Sequence, residues 1–93
     1  MDDRAQILAA LYAAALDIVR AMRTEGKPVT PEGVIDALLE RYRDNKVMMR
    51  EITRIGVEGE VEKYLEEMVT DGRLTRTMGE DGVPVYSRVE QGR

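Results

Sequence analysis

The 93-residue chain has no cysteine, no histidine, no tryptophan and no phenylalanine. Each absence removes a chemistry. Without cysteine there is no disulfide and no thiolate. Without histidine there is no imidazole to ligate a metal or to shuttle a proton near neutrality. Zinc, copper and iron sites built on nitrogen and sulfur are therefore excluded, as are the Ser-His and Cys-His couples of nucleophilic catalysis. Ser87 is the only serine. No Walker motif or other glycine-rich phosphate loop occurs. The run Gly79-Glu80-Asp81-Gly82 lacks the ligand series of a calcium loop. A catalytic carboxylate pair needs a cleft, which so short a chain does not promise. These exclusions predict a protein that is not an enzyme and that uses no cofactor and no metal.

What is present suffices for a fold. Hydrophobic residues make up 43% of the chain and charged residues 34%, a balance that supports one small domain rather than disorder. That domain is expected to take in residues 1–93, with residues 1–4 and 90–93 frayed. The net charge of −4 excludes a globally basic nucleic-acid binder but not a local basic patch. The charge is uneven: residues 1–40 carry −3, residues 41–54 carry +3, residues 55–72 carry −5 and residues 73–93 carry +1. The opening Met1-Asp2-Asp3-Arg4 is acidic, unlike the start of a secretory signal. The longest uncharged run in the first helix, residues 5–16, is too short to span a bilayer. A cytoplasmic protein with no membrane partner is expected.

A first helix is predicted over Asp3–Thr24. Alanine and leucine are strong helix formers, and Ile7, Leu8, Leu11, Ala15, Ile18, Val19 and Met22 fall on one apolar stripe. The opposite face, Ala9, Ala10, Ala13 and Leu16, is apolar too. A helix that is apolar all round calls for burial on two sides, more than a domain of this size readily provides. A homodimer packed through this helix is the expected remedy, with Leu8, Leu11, Tyr12, Ala15 and Leu16 at the interface. The competing reading is that alanine simply fills an exposed helical face.

Gly26 ends this helix, and Lys27-Pro28-Val29 reads as a short extended link. Thr30-Pro31 is a sharp helix start, a capping hydroxyl followed by proline at the first helical position. Val34, Ile35, Leu38, Leu39 and Tyr42 define an amphipathic helix to about Arg43. Met48, Met49, Ile52 and Ile55 keep helical spacing, either as a separate short helix or as a continuation of the preceding one, and Gly56 interrupts the pattern. Val57, Val61, Tyr64, Leu65, Met68 and Val69 define another amphipathic helix, closed by Gly72.

The chain then reads as a hairpin. Leu74–Met78 is one strand, the Asp81-Gly82 pair favours a turn, and residues 83–89 return. Pro84 cannot donate to a ladder, which predicts an edge strand. Tyr42 and Tyr64, with Met48, Met49, Met68 and Met78, are expected to fill the core. The four tyrosines are not clustered as a stacking platform for single strands. The class is α+β, mostly helical, with three to four helices and a C-terminal β-hairpin.

Helix, short strand, helix, helix, hairpin is the order of the winged-helix fold. Gly26-Lys27-Pro28-Val29-Thr30-Pro31-Glu32 resembles the link into the second helix of that family. Tyr64-Leu65-Glu66-Glu67-Met68-Val69-Thr70-Asp71-Gly72-Arg73-Leu74 resembles its third helix running into the hairpin, and Val83-Pro84-Val85-Tyr86 its returning strand. The resemblance spans residues 7–89 and is one of pattern. Residues 44–56 depart from it, being a turn or more longer than the usual tight turn.

In winged helices that bind DNA, the helix before the hairpin lies in the major groove and the wing touches backbone or minor groove. The resemblance therefore implies a small DNA-binding regulator of transcription. Here that helix would present Glu58, Glu60, Glu62, Lys63, Glu66 and Glu67, whose carboxylates oppose phosphates. Two readings follow. In the first, double-stranded DNA is held by cations elsewhere: Arg43, Lys46, Arg50 and Arg54 are spaced to share one helical stripe, with Arg76 and Arg88 of the hairpin in support. In the second, the fold binds protein. Glu58, Glu60, Glu62, Glu66 and Glu67 would then meet a basic partner or mimic a phosphate backbone, as in an adaptor or an inhibitor. Either charge set, taken alone, is also what an ordinary solvated face looks like.

Overall fold

The computed structural model describes residues 3–89. Four helices run in order: α1 (Asp3–Thr24), α2 (Pro31–Arg41), α3 (Lys46–Val57) and α4 (Glu60–Thr70). An antiparallel hairpin of β1 (Leu74–Met78) and β2 (Pro84–Arg88) follows. The fold is α+β and mostly helical, with the winged-helix-like layout expected from the order of elements.

Each boundary has a local cause. The Thr30 hydroxyl accepts from the Gly33 N–H at 3.0 Å and Pro31 occupies the first turn of α2. Asn45 repeats the device, accepting from the Met48 N–H at 3.1 Å. Residues 46–57 are therefore a helix of their own, not a continuation of α2. Gly56 does not interrupt it; the break falls at Glu58 and Gly59 instead. Gly59 takes φ +74°, a left-handed conformation that costs other residues roughly 1–2 kcal/mol. Val57 consequently closes α3 rather than opening α4, and at 84% exposure it is not a core residue. At the far end of α4, Gly72 is left-handed as well. Arg73 N–H then bonds the Met68 carbonyl and Gly72 N–H the Val69 carbonyl, satisfying the last turn.

The helices meet on one core. α2 packs on α1, α3 and α4, and α4 supports β1. Leu11 and Val19 of α1, Val34 and Leu38 of α2, Ile52 and Ile55 of α3, and Val61 and Leu65 of α4 are buried together with Leu74 and Tyr86 of the hairpin. Met48 and Met68 join them, and Tyr42, Tyr64 and Met49 are partly buried. Met78, expected inside, points to solvent at 64% exposure from the end of β1. By length and composition α1 could cross a membrane. In this fold its Leu11, Ala14, Ala15, Ile18 and Val19 are core residues.

The hairpin is tied back to the helices through β2. Leu74 pairs with Arg88 and Met78 with Pro84 across the ladder. On the other side of β2, Tyr86 exchanges both backbone hydrogen bonds with Val29, at 2.6 and 2.7 Å. β2 is an edge of the two-stranded sheet, as expected, and Val29 adds an isolated bridge to it at Tyr86. Pro84 lies at the first position of β2, two residues before that bridge. Of the ends expected to fray, Asp3 and Arg4 belong to α1, and Arg4 reaches Glu51 at 3.0 Å and Glu58 at 3.7 Å. Residues 1–2 and 90–93 lie outside the described residues.

Candidate functional site

α4 turns Val61, Leu65 and Met68 inward. That register sends the intervening residues outward. Glu58, Glu62, Glu66, Glu67 and Asp71 line an open groove of about 770 Å³ along the helix, together with Lys63 and Arg73. The five glutamates singled out from the sequence fall into two groups. Glu58, Glu60 and Glu66 are engaged within the chain. Glu58 caps α3 and lies 3.4 Å from Arg54. Glu60 accepts from Tyr12 Oη and Lys63 Nζ, each at 3.4 Å. Glu66 Oε2 accepts from Tyr86 Oη at 2.5 Å and from Arg76 at 3.0 Å. Glu62 and Glu67 are exposed and have no ion pair or hydrogen bond among the described residues.

The tyrosines fix how α4 sits. Tyr12 and Tyr64 stack with centroids 5.4 Å apart, and Tyr64 Oη donates to the Tyr12 carbonyl at 3.3 Å. The Tyr86 hydroxyl holds the Glu66 carboxyl below its ordinary range, and Arg76 pulls the same way. Burial, followed by the hydrogen bond to Glu66 and then the Glu66 charge, pushes the Tyr86 phenol well above the ordinary value. Burial is also the leading cause that raises Tyr12 and Tyr64. Phenols raised in the folded chain are ordinary in the unfolded one, so unfolding releases protons above about pH 10. Their contribution is whole below that pH and is lost as pH rises through the folded values. Thermal melts should show a Tm that falls from about pH 10 upward, and Tyr86→Phe should flatten that fall. An unchanged alkaline slope in the variant would contradict the Tyr86–Glu66 contact.

The cations proposed for phosphate contact do not form one surface. Arg43 lies in the turn after α2 and pairs with Glu40 at 3.1 Å. The stripe of four is therefore corrected to Lys46, Arg50 and Arg54, because Asn45 starts a new helix. Arg54 pairs with Glu58, and Arg76 with Glu66. Lys46 and Arg50 are exposed, one turn apart, with no ion pair among the described residues. Arg88 lies elsewhere. α3 reaches α1 at Arg4, whereas Arg88 shares a recess with Arg20, Arg23 and Thr24. At 1.5 Å per residue those two places are roughly 24 Å apart along α1.

The dimer residues are redistributed too. Leu11 is 0% exposed and Ala15 3%, so neither has surface to offer a second copy. Leu8 and Leu16 are partly buried against the same core, and Tyr12 is stacked on Tyr64. Ala9, Ala10 and Ala13 are among the residues that α1 leaves exposed.

Sequence reasoning passed over Arg20 and Arg23. Their signal was present: two arginines three apart in the last turns of a helix, with Asp17 the one carboxylate at helical spacing from either. The third member, Arg88, is joined to them only by the fold. Comparison with family models, with curated proteins and with solved structures gives no match for this chain.

Proposed function

We propose that this chain is a non-enzymatic, protein-binding winged-helix module whose α4 face docks a basic segment of a partner protein. One observation carries the reading. The groove on the helix before the hairpin, where DNA-binding winged helices meet DNA, is lined by Glu58, Glu62, Glu66, Glu67 and Asp71. Glu62 and Glu67 have no ion pair among the described residues. The hairpin loop adds Glu80 and Asp81, both exposed. Lysine and arginine side chains would find partners along this face. Phosphates would be repelled, because affinity for DNA comes largely from cations that displace counterions. The core residues of α1 support a helix packed within a globular fold.

The exposed, unpaired Lys46 and Arg50 favour a second reading, contact with a DNA backbone through α3. Two phosphate contacts make a weak footprint, worth about a tenfold loss of affinity between 50 and 200 mM salt.

The test is fluorescence anisotropy with a labelled lysine- and arginine-rich peptide at about 50 mM salt. Glu62→Lys with Glu67→Lys should weaken binding at least about tenfold. Glu32→Lys with Asp36→Lys, exposed positions on α2 that change the net charge equally, should weaken it by no more than about twofold. Equal losses in the two variants would show attraction to net charge alone and overturn the assignment. Salt-steep binding of duplex DNA, abolished by Lys46→Glu with Arg50→Glu, would move the function to α3.

A further inference from the structure

We propose that the end of α1 and the end of β2 form a binding site for the phosphoryl group of a small molecule, independent of the α4 face. Arg20, Arg23, Thr24 and Arg88 line an open recess of about 490 Å³. Three guanidinium groups and one hydroxyl thus border a single space, and no carboxylate among the described residues lines it. The acids nearest Arg20 and Arg23 in the chain are turned to other cations: Asp17 lies 4.0 Å from Arg41, and Glu25 lies 3.0 Å from Lys27. Arg20, Arg23 and Arg88 have no ion pair among the described residues.

Arg23 gives the second, independent observation. Its Nε is buried and has no hydrogen-bond partner. A buried donor left unsatisfied is costly, and a ligand oxygen would relieve it once the Arg23 side chain turns Nε toward the recess. The guanidinium fork matches phosphate oxygens bidentately, which an ammonium cannot do.

An ordinary structural role does not account for the cluster. A helix C-terminus favours nearby cations, but with an effective charge of only about −0.5. Three arginines exceed what that requires and give the described lining a net positive charge. The chemistry also narrows the ligand. A tetrahedral dianion offers oxygens to donors from several directions, whereas a planar carboxylate offers two in one plane. None of the four lining residues is aromatic or apolar, so nothing there would hold a base. The recess reads the phosphoryl group rather than what it is attached to.

Isothermal titration of the full chain with inorganic phosphate and with pyrophosphate tests this. Dissociation constants of about 0.1–1 mM are expected, with pyrophosphate the tighter. Arg88→Gln, at an exposed position, and Arg23→Gln should each weaken binding at least about tenfold. Arg23→Lys keeps the charge but loses the fork, and should weaken it about fivefold. Unchanged binding in Arg23→Gln and Arg88→Gln would overturn the site. So would sodium acetate of matched ionic strength giving the same heats. A duplex DNA that competes with pyrophosphate, and fails to do so in Arg88→Gln, would reassign the recess to a nucleic-acid backbone and overturn the small-molecule source. A duplex without effect on the pyrophosphate affinity supports it.

Discussion

Leu11→Asp is expected to leave the chain unfolded at 25 °C. Leu11 is 0% exposed and lies in the core with Ala15, Ile18 and Val19 of the same helix. Truncating such a leucine to alanine costs about 2–5 kcal/mol. An aspartate adds the penalty of a carboxylate placed among apolar side chains with no partner. A chain of this length is stable by about 5–14 kcal/mol, so the alanine variant should fold with a lowered Tm and the aspartate variant should not fold at all. Ala9→Lys, on the exposed side of α1, should change stability by no more than about 0.5 kcal/mol. Circular dichroism and urea melts read the stability, and light scattering reads the mass. The outcome separates two roles for α1. A dimer seam built on Leu11 would yield a folded monomer from Leu11→Asp, and that result would remove Leu11 from the core.

The order of elements was legible because its signals are local. Thr30-Pro31 carries both a capping hydroxyl and a fixed φ, and α2 starts there. Leu74–Met78 was readable as a strand because a glycine cap precedes it and a turn follows. The α3–α4 boundary was misplaced at Gly56 because two glycines three residues apart look alike in sequence. Only Gly59 takes the left-handed conformation. Val57 continues the apolar spacing into Val61, and periodicity cannot sense a turn inserted between them. Arg43 failed for the same reason, since a spacing of three places residues on one face only if one helix spans both.

The charges were less legible than the helices. Helical spacing gives access to pairs such as Arg54–Glu58, four residues apart, and these form. Arg4–Glu51 and Arg76–Glu66 join different elements. No local rule finds them, yet they decide which cations and carboxylates remain free. The acidic character of the α4 face was plain from composition. Its division into an engaged set and the free pair Glu62 and Glu67 belongs to the fold. The Arg20–Arg23–Arg88 recess shows the same limit, because the return of β2 toward the end of α1 is a tertiary fact.

Tyr86→Ala should cost about 3–5 kcal/mol, the range for removing a buried aromatic ring. Tyr86 is 1% exposed. Its backbone is paired to Val29, its ring lies in the core, and its hydroxyl reaches Glu66 on α4. One residue therefore joins the link after α1, the hairpin and α4. Losing the ring should loosen all three together, so amide exchange at Val29 should accelerate along with exchange in the hairpin. Tyr86→Phe separates packing from the hydroxyl. The ring stays and the loss of stability should be much smaller, while Glu66 keeps only Arg76 and its carboxyl moves back toward the ordinary range. A carboxyl lowered in the folded state contributes stability above its unfolded pKa and loses it as pH falls through the folded value. The phenylalanine variant should therefore lose less stability on acidification than the parent, as urea melts between about pH 6 and 3 would show. A parental acid slope in Tyr86→Phe would mean that Arg76 alone orders Glu66. A loss below about 1 kcal/mol in Tyr86→Ala would make the hairpin an appendage, and the α4 face would then be built by the helices without it.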